Sequence, residues 1–247
     1  MKPAISVVVP LYNDEMVVQK LLKKLEKVLS SSFQDYEIIL VDDGSTDTTF
    51  SILSELSYLH LKIIKLTRNF GQSNAIVAGL SFAIAENIVI MDSDLQDKPE
   101  DIPLLYNALI SQNIEMVIAT RKNANEHKIR NFLSRTFFRF SDFFATIKVP
   151  ANTGVFRIIK SSCLINILQK PYQSGSILSQ LYQAKTTYVT LPLARDVNVV
   201  RQSNYTYMKM IKLAITRLIA FSRVPFPKKI KDKYIPNFEI EIIVEKL

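Results

Sequence analysis

The chain of 247 residues has one cysteine, five glycines and no tryptophan. The lone Cys163 excludes an intrachain disulfide and any multi-cysteine metal site, and such cysteine usage is typical of a reducing compartment. No GxGxxG, GxxxxGKS or GxxxxGKT sequence occurs. The glycine-rich phosphate loops of dinucleotide-binding proteins and P-loop NTPases are therefore excluded.

Long apolar runs are also lacking. The most apolar stretch, Ala75–Met91, is interrupted by Ser81, Glu86 and Asn87, whereas a membrane-spanning helix needs about 20 apolar residues in succession. The first six residues contain no apolar core of the kind found in a secretory signal. Because 48% of the residues are hydrophobic, the chain has enough apolar surface to bury a core. The sequence predicts a cytoplasmic chain without membrane spans.

Acidic residues are scarce in one segment only. Between residues 201 and 233 the chain has nine Lys and Arg against the single acid Asp232, while the rest carries 22 basic and 22 acidic residues. The net charge of +8 therefore lies in this segment, which indicates an anionic partner. Within it, Tyr207–Ser222 has the pattern of a basic amphipathic helix. The apolar face of that helix suits an anionic membrane surface, the catalytic core or a second copy of the chain.

The first half of the chain alternates between strand and helix patterns. Runs such as Ile5–Val9 and Tyr36–Val41 predict strands buried on both faces, and Glu15–Leu29 has the spacing of an amphipathic helix. The alternation continues to Met116–Ala119, which predicts an α/β fold with a parallel sheet, helices on both faces and right-handed crossovers. The second half is less regular, and the strand pattern at Phe238–Val244 has no predicted place in the sheet.

Polar clusters follow three of the predicted strands: Tyr12–Asp14, Asp42–Asp43 and Asp92–Gln96. Ligands of parallel sheets bind outside the carboxyl ends of the strands, so we expect a site there. Two carboxylates one residue apart, as in Asp92-Ser93-Asp94, can converge on Mg²⁺ or Mn²⁺, which also take phosphate oxygens. The Gln96 amide oxygen is a further candidate ligand. Taken alone, these acids are equally compatible with helix caps and ordinary turns.

In combination and order, these segments resemble the family 2 glycosyltransferases, which have the GT-A fold, a Rossmann-like, mostly parallel sheet flanked by helices. The matching segments are Val7–Asn13, Val41–Asp47, Arg68–Gln72 and Met91–Gln96. Leu95-Gln96, the Arg68–Gly71 block and Ser203–Thr206 ahead of a basic helix look most like the polyprenyl-phosphate branch, similar to dolichyl-phosphate mannose synthase.

The resemblance implies a metal-dependent hexosyltransferase that inverts the anomeric centre of a nucleotide sugar. It implies that Asp92, Asp94 and Gln96 hold Mg²⁺ or Mn²⁺ against the diphosphate. The residues implied to contact the nucleotide are Pro10, Tyr12, Asn13, Asp42 and Asp43. The cations implied for the acceptor phosphate are Arg121, which would also act in catalysis, Arg130 and Arg201.

Two departures from the family pattern bear on the acceptor. Asn152 and Val155 stand on either side of Thr153-Gly154, where many lipid-phosphate relatives carry acids, and Arg201 is followed by Gln202-Ser203 without a glycine. The loss of an obvious base favours a polyprenyl phosphate, such as undecaprenyl or dolichyl phosphate, which is already anionic. Transfer to a saccharide hydroxyl in cell-surface polysaccharide or O-antigen assembly stays the alternative.

The expected division is a catalytic domain over residues 1–200 and a basic helix and tail over residues 201–247. Within the catalytic domain we expect residues 1–122 to bind the nucleotide sugar and residues 123–200 to bind the acceptor. The enzyme is expected at the cytoplasmic face of the membrane as a peripheral protein.

Nucleic acid is not an expected partner, because the basic segment has an apolar helical face rather than exposed interleaved aromatics. A nucleotidyltransferase is disfavoured because the first loop is not rich in glycine and lysine, and a non-catalytic binding protein because Asp92, Asp94 and Gln96 are intact.

Overall fold

The described residues of the computed structural model are 2–121, 150, 153–168, 177–184, 186–196 and 238–246. The strands are β1 (Ile5–Leu11), β2 (Tyr36–Asp42), β3 (Leu61–Leu66), β4 (Asn87–Ile90), β5 (Met116–Arg121), β6 (Thr153–Lys160), β7 (Tyr188–Leu193) and β8 (Ile240–Lys246). The helices are α1 (Val18–Ser32), α2 (Thr49–Glu55), α3 (Gln72–Phe82), α4 (Ile102–Ser111), α5 (Ser161–Leu168) and α6 (Ile177–Gln183), with a 3-10 turn at Pro99–Asp101 before α4.

The described strands form one sheet in the order β7-β5-β6-β4-β1-β2-β3-β8. β1 pairs in parallel with β2 and β4, β2 with β3, and β5 with β7. β6 runs antiparallel between β4 and β5, and β8 runs antiparallel along β3. The carboxyl ends of the parallel strands and the starts of β6 and β8 therefore lie at one edge of the sheet.

Apolar side chains cover both faces of this sheet. On one face the strands pack against α1, α2 and α4, through residues such as Leu25, Leu53 and Leu105. On the other face they pack against α3, α5 and α6, through residues such as Ile76 and Leu181. Successive residues of a strand point to opposite faces, so a strand covered on both sides is apolar throughout. The structure confirms the expected GT-A fold.

The apolar spacing of Ser73–Ala85 predicts a helix over that range, and helix α3 ends earlier. The apolar spacing continues to Ala85, but the helix ends at Phe82 and Ala83 is extended. The backbone N–H of Ile84 donates to Glu37 Oε1 at 2.8 Å and that of Ala85 donates to Ser6 Oγ at 3.1 Å. These N–H groups are satisfied by side chains of β1 and β2 rather than by a further helical turn.

The C-terminal tail contributes a strand to the central sheet. Ile240–Lys246 forms β8, which pairs with β3 as a strand of the central sheet. Lys62 and Glu245 form an ion pair across this pairing at 2.8 Å, and Lys65 and Glu241 form another at 2.9 Å. The alternating pattern of Phe238–Val244 predicted a strand. No local sequence feature indicated that this strand would pair with β3, about 180 residues earlier in the chain.

Several sequence predictions fall outside the described residues. These are the basic helix at residues 207–222, Arg130, Arg201 and Asn152. Within the part of the chain that the structure describes, no helix is both long and apolar enough to cross a membrane.

Candidate active site

The loops that follow β1 and β2 are joined by hydrogen bonds at the carboxyl edge of the sheet. The Asn13 N–H donates to Ser45 Oγ at 2.9 Å, and the Thr46 N–H donates to Asn13 Oδ1 at 2.9 Å. Asn13 has φ +52°, a left-handed conformation that asparagine tolerates better than most residues. Pro10 is buried within β1, whereas the Tyr12 side chain is 42% exposed beside these loops. An exposed ring next to fixed polar groups is able to contact a planar ligand.

Asp14 links the β1 loop to the loop after β4. It is buried, and its Oδ2 accepts hydrogen bonds from the Tyr12 N–H at 3.0 Å and from Ser93 Oγ at 2.7 Å. No sequence pattern indicated a role for Asp14 or Ser93, since an acid next to Asn13 has no distinctive spacing. These contacts place Tyr12 directly beside the segment that carries Asp92 and Asp94.

Asp43 is held by the turn that precedes α3. Its two carboxylate oxygens accept hydrogen bonds from the N–H groups of Phe70 at 2.7 Å and Gly71 at 2.8 Å. Burial raises the pKa of Asp43 to about 6, the two backbone hydrogen bonds oppose that rise, and the neighbouring Asp42 adds to it. The Arg68–Gln72 block of the sequence motif is thus fixed to the end of β2.

Asp42 is fully buried at the end of β2. Its Oδ1 accepts from the Ser45 N–H at 3.1 Å, while Oδ2 has no hydrogen-bond partner among the described residues. Burial raises the pKa of Asp42, and the contacts with Ser45 partly offset this effect. A buried oxygen of this kind is costly to leave without a donor.

Gly44 allows the β2 loop to approach the chain before α3. A Cβ at Gly44 would lie 2.3 Å from the Arg68 carbonyl carbon and 2.7 Å from the Asn69 nitrogen, and Gly44 has φ +65°. Any other residue would push these backbone segments apart. The glycine therefore keeps Asp43 within reach of Phe70 and Gly71.

The two aspartates of Asp92-Ser93-Asp94 lie in the loop after β4. Asp92 Oδ1 accepts a hydrogen bond from Gln72 Nε2 at 2.6 Å, and Asp94 Oδ1 accepts from the Gln96 N–H at 3.0 Å. Leu95 has φ +59° although it is branched, and its side chain is buried in the core. This left-handed conformation is unfavourable for leucine, so the loop is held by its packing.

The carboxylates in this loop repel one another when they are ionised. Burial raises the pKa of Asp92 to about 7, Asp94 and Asp97 add to the rise, and Arg195 and Arg121 oppose it. Within the described residues no three His, Cys, Asp or Glu side chains form a metal-binding group. The carboxylates of this loop that could hold a divalent cation are Asp92 and Asp94, and oxygens of a bound ligand would have to complete the coordination.

Gln96 and Asp97 contact an arginine that the sequence analysis missed. Arg195 donates from Nη1 to Gln96 Oε1 at 3.0 Å, and from Nε and Nη2 to the two oxygens of Asp97 at 2.7 and 2.6 Å. The Gln96 amide oxygen, predicted as a metal ligand, is thus already engaged by a cation. No sequence signal pointed to Arg195, because its partners lie almost 100 residues earlier in the chain.

A pocket opens beside this loop, between the ends of β5 and β7 and the start of β6. Arg121, at the exposed end of β5, lines it together with Gly154, Arg195 and two carboxylates, Asp97 and Asp101. Val155, which replaces one of the acids common in relatives, is half-buried. The structure therefore brings Arg121 to the same edge as Asp92 and Asp94, whereas Arg130 and Arg201 lie outside the described residues.

A mostly parallel sheet with carboxylates after its second and fourth strands, followed by an antiparallel strand, is the arrangement of the GT-A fold, which solved glycosyltransferase structures share with this chain. The chain belongs to glycosyl transferase family 2, whose sequence profile matches residues 6–168. This assignment confirms the resemblance drawn from the sequence motifs.

Individual relatives are similar over most of the chain. The uncharacterised glycosyltransferase YkcC of Bacillus subtilis (strain 168) is 30% identical over 223 residues, which are 89% of this chain and 69% of that protein. Undecaprenyl-phosphate 4-deoxy-4-formamido-L-arabinose transferase of Enterobacter sp. (strain 638) is 29% identical over 227 residues, 90% of this chain and 68% of that protein. The solved structure of mannosyltransferase PcManGT from Pyrobaculum calidifontis, in complex with GDP-Man and Mn²⁺, has a TM-score of 0.62 at 20% identity and covers 94% of this chain and 68% of its own.

Proposed function

We propose that this glycosyltransferase transfers a sugar from a nucleotide-sugar donor to a polyprenyl phosphate at an anionic membrane surface. The observation that carries the proposal is the placement of Arg121 in a pocket beside the loop of Asp92 and Asp94, where the neighbouring Arg195 is engaged by Gln96 and Asp97. Guanidinium groups bind phosphate oxygens in bidentate fashion. The named activity of the Enterobacter relative, which acts on undecaprenyl phosphate, supports the same acceptor class.

The nucleotide of the donor would bind at the ends of β1 and β2. Tyr12 would contact the base, since its ring is exposed there. The free lone pairs of Asp43 would accept hydrogen bonds from the ribose or the base, and the fully buried Asp42 would support this subsite through its contact with Ser45. Pro10 and Asn13 would shape this subsite.

Asp92 and Asp94 would hold a divalent cation, Mg²⁺ or Mn²⁺, because its charge would offset the burial and the repulsion by neighbouring carboxylates that together raise the pKa of Asp92. When bound, the cation would offset the charge that develops on the departing nucleoside diphosphate. The amide oxygen of Gln96 accepts a hydrogen bond from Arg195. We therefore assign Gln96 to orienting the loop rather than to direct ligation.

The reaction would be a single displacement with inversion. A phosphate oxygen of the acceptor would form a bond to the anomeric carbon as the bond from that carbon to the nucleoside diphosphate breaks, and the diphosphate would leave with the electron pair. A phosphate is already ionised at neutral pH, so the enzyme needs no base to take a proton from it. Arg121 would hold the acceptor phosphate in line with the sugar.

One observation favours a saccharide acceptor as the second candidate. A hydroxyl acceptor needs a general base, and Asp101 is a carboxyl group that lines the pocket and whose pKa is raised by burial. Asp97 is less suited to this role because Arg195 binds both of its oxygens. Transfer to a saccharide would therefore depend on Asp101.

We also propose that the basic segment between residues 201 and 233 docks the enzyme on anionic lipid. β7 ends and β8 begins at the edge of the sheet that carries Asp92 and Asp94, so both described flanks of the segment lie on the active-site side. Each Lys or Arg near an anionic leaflet contributes about 1 kcal/mol to binding. Residues 1–122 would then serve the donor, residues 123–200 the acceptor and the basic segment the membrane, with self-association through its apolar face as the alternative.

The first test is nucleotide binding followed by thermal unfolding, with UDP, GDP, CDP and dTDP in the presence and absence of Mn²⁺. A ligand at 100 times its dissociation constant stabilises the folded state by about 2.7 kcal/mol. We expect a Mn²⁺-dependent shift with one of them. No shift with any nucleotide would contradict the donor site.

The acceptor is tested by transfer to undecaprenyl phosphate in vesicles and to soluble saccharides. We expect Arg121→Ala to raise the KM for the lipid phosphate roughly 30-fold, the value of a lost charge-assisted hydrogen bond, with the nucleotide affinity unchanged. Transfer to a saccharide that is abolished by Asp101→Asn, without transfer to the lipid, would overturn the polyprenyl acceptor in favour of the second candidate.

A further inference from the structure

The segment after β7 is tied to the loop after β4 by contacts between two short pieces of chain. Three hydrogen bonds run from the Arg195 side chain to Gln96 and Asp97, and the Asp196 N–H donates to the Gln96 carbonyl at 3.0 Å. All three nitrogens of the guanidinium and both oxygens of Asp97 are used. Such a bidentate pair fixes orientation as well as distance.

This contact is shielded from solvent. The Asp97 side chain is 6% exposed and that of Arg195 is 17% exposed. A buried pair contributes little net stability compared with apolar residues of the same volume, because both charges lose their hydration. The geometry of the pair between Arg195 and Asp97 is therefore better explained by the positioning of the loop after β4 than by a contribution to the stability of the fold.

Gly154 provides the space for the guanidinium. A Cβ at this position would lie 3.0 Å from Arg195 Nη2, which is tighter than an ordinary contact. Gly154 belongs to β6, and the atom that its Cβ would meet, Nη2, is a nitrogen that donates to Asp97. The arginine thus fits between the start of β6 and the loop that carries Asp92 and Asp94.

The loop needs a restraint at this point. Leu95, which immediately precedes Gln96, has the unfavourable φ of +59°, and its side chain is buried. Gln96 also orients Asp94, because its N–H donates to Asp94 Oδ1 at 3.0 Å. A chain of contacts therefore leads from Arg195 through Gln96 to the Asp94 carboxylate.

We propose that Arg195, Asp97 and Gly154 form a clamp that positions Asp94 for the donor diphosphate and its cation, an inference that rests on the proposed function. Arg195 is a positioning residue in this assignment, since it acts through Gln96 and Asp97. The clamp also joins the loop of the donor site to the wall of the pocket that holds Arg121. Donor binding and pocket shape are thereby linked through one side chain.

The test compares Arg195→Lys, Arg195→Met and Gly154→Ala with Lys62→Met as the control. Lysine keeps the charge but loses the bidentate geometry, methionine removes both, and Gly154→Ala displaces the guanidinium by a few tenths of an ångström. Lys62→Met removes an ion pair of 2.8 Å from the β3–β8 pairing, away from the loop. The measurements are the dissociation constants of UDP and GDP in excess Mn²⁺ and in EDTA, together with the melting temperature.

We expect the gain in nucleotide affinity due to Mn²⁺ to fall about 10- to 100-fold in Arg195→Met, the range found when groups that orient metal ligands are removed. The fall should be smaller in Arg195→Lys and smallest in Gly154→Ala. Affinity in EDTA should change less than about twofold, and Lys62→Met should keep the full gain even where its melting temperature drops. A purely structural role would lower melting temperatures without this split.

A wild-type gain in both Arg195 variants would overturn the clamp and leave the proposed function intact. If Arg195→Met does not fold, Arg195→Lys and Gly154→Ala decide the question by the same measurement. A parent protein that binds nucleotide equally well with and without Mn²⁺ would overturn the metal part of the proposed function and the clamp with it. Nucleotide binding by the parent protein with and without Mn²⁺ therefore distinguishes failure of the clamp from failure of the metal part of the proposed function.

Discussion

The two parts of the active-site edge are assembled in different ways. Most carboxylates after β1, β2 and β4 accept hydrogen bonds from backbone N–H groups, as when Asp43 accepts from Phe70 and Gly71, 27 and 28 residues away, whereas Asp92 accepts from the Gln72 side chain. The pocket of Arg121 and Gly154 is closed by long-range contacts, such as the one between Asp97 and Arg195, 98 residues apart. Acidic side chains dominate the loops after β1, β2 and β4. The pocket is lined by arginines that lie close to acidic side chains.

Sequence motifs indicate contacts of the first kind, whereas contacts of the second kind depend on how the strands are arranged in the sheet. Repeated β-α-β units bring successive loops to one edge, so residues with adjacent roles stay close in sequence. The antiparallel strand β6 and the distant strand β7 instead bring together segments whose spacing carries no signal. The donor side is therefore a property of short segments, and the pocket is a property of the whole sheet.

The largest effect should come from the donor side. We expect Asp94→Ala to reduce Mn²⁺-dependent turnover roughly 1000-fold, about 4 kcal/mol of transition-state stabilisation, because the cation would lose one of two carboxylate ligands. Initial rates with the nucleotide sugar found by the binding test would measure this loss. Glu100→Ala removes an exposed acid just beyond the loop, in a surface ion pair with Lys24 at 3.3 Å, and should leave the rate unchanged. Equal rates for Asp94→Ala and the parent would refute the assigned role of Asp94.

The second test concerns how tightly the β2 loop is packed. We expect Gly44→Ala to lower the free energy of unfolding by about 3 kcal/mol, from a disfavoured φ and from overlap with the backbone of Arg68. Gly71→Ala is the matched control, since Gly71 has φ +92° but a Cβ there would meet no atom within 4 Å. It should cost only the conformational part, about 1–2 kcal/mol. Urea unfolding measures both, and equal losses would mean that the close approach to Arg68 contributes nothing.

Sequence patterns predicted the fold and the placement of Asp42, Asp43, Asp92 and Asp94, because strand periodicity and the order of loops are local properties. They gave no sign of the edge position of β8, because pairing partners are chosen by the assembled sheet. They also missed Arg195, since an arginine two residues after a strand is ordinary until its partner is known. Leu95 was similarly hidden, because nothing in its type suggests a left-handed backbone.

The smallest expected effect is the pH dependence of nucleoside binding, which would depend on Asp43 in the nucleotide subsite. Burial raises the pKa of Asp43 from 3.8 to about 6, so this carboxyl becomes protonated as pH falls through 6. Protonation removes an acceptor from the subsite, and nucleoside affinity should fall up to tenfold per pH unit below that pKa. Uridine and guanosine titrated in EDTA report on this group, because neither a phosphate nor a cation takes part. Asp43→Asn should bind more weakly at pH 7 and show no such dependence.

The stability of the fold provides an independent check, because its pH dependence has the opposite sign. A group whose pKa is raised on folding binds its proton more tightly in the folded state. Its contribution to stability is therefore complete below 3.8 and is lost as pH rises through about 6. Acidification from pH 7 to pH 5 should thus weaken nucleoside binding while the contribution of Asp43 to stability increases. If affinity and the Asp43-dependent part of stability fell together, unfolding rather than protonation of this carboxylate would account for the loss of binding.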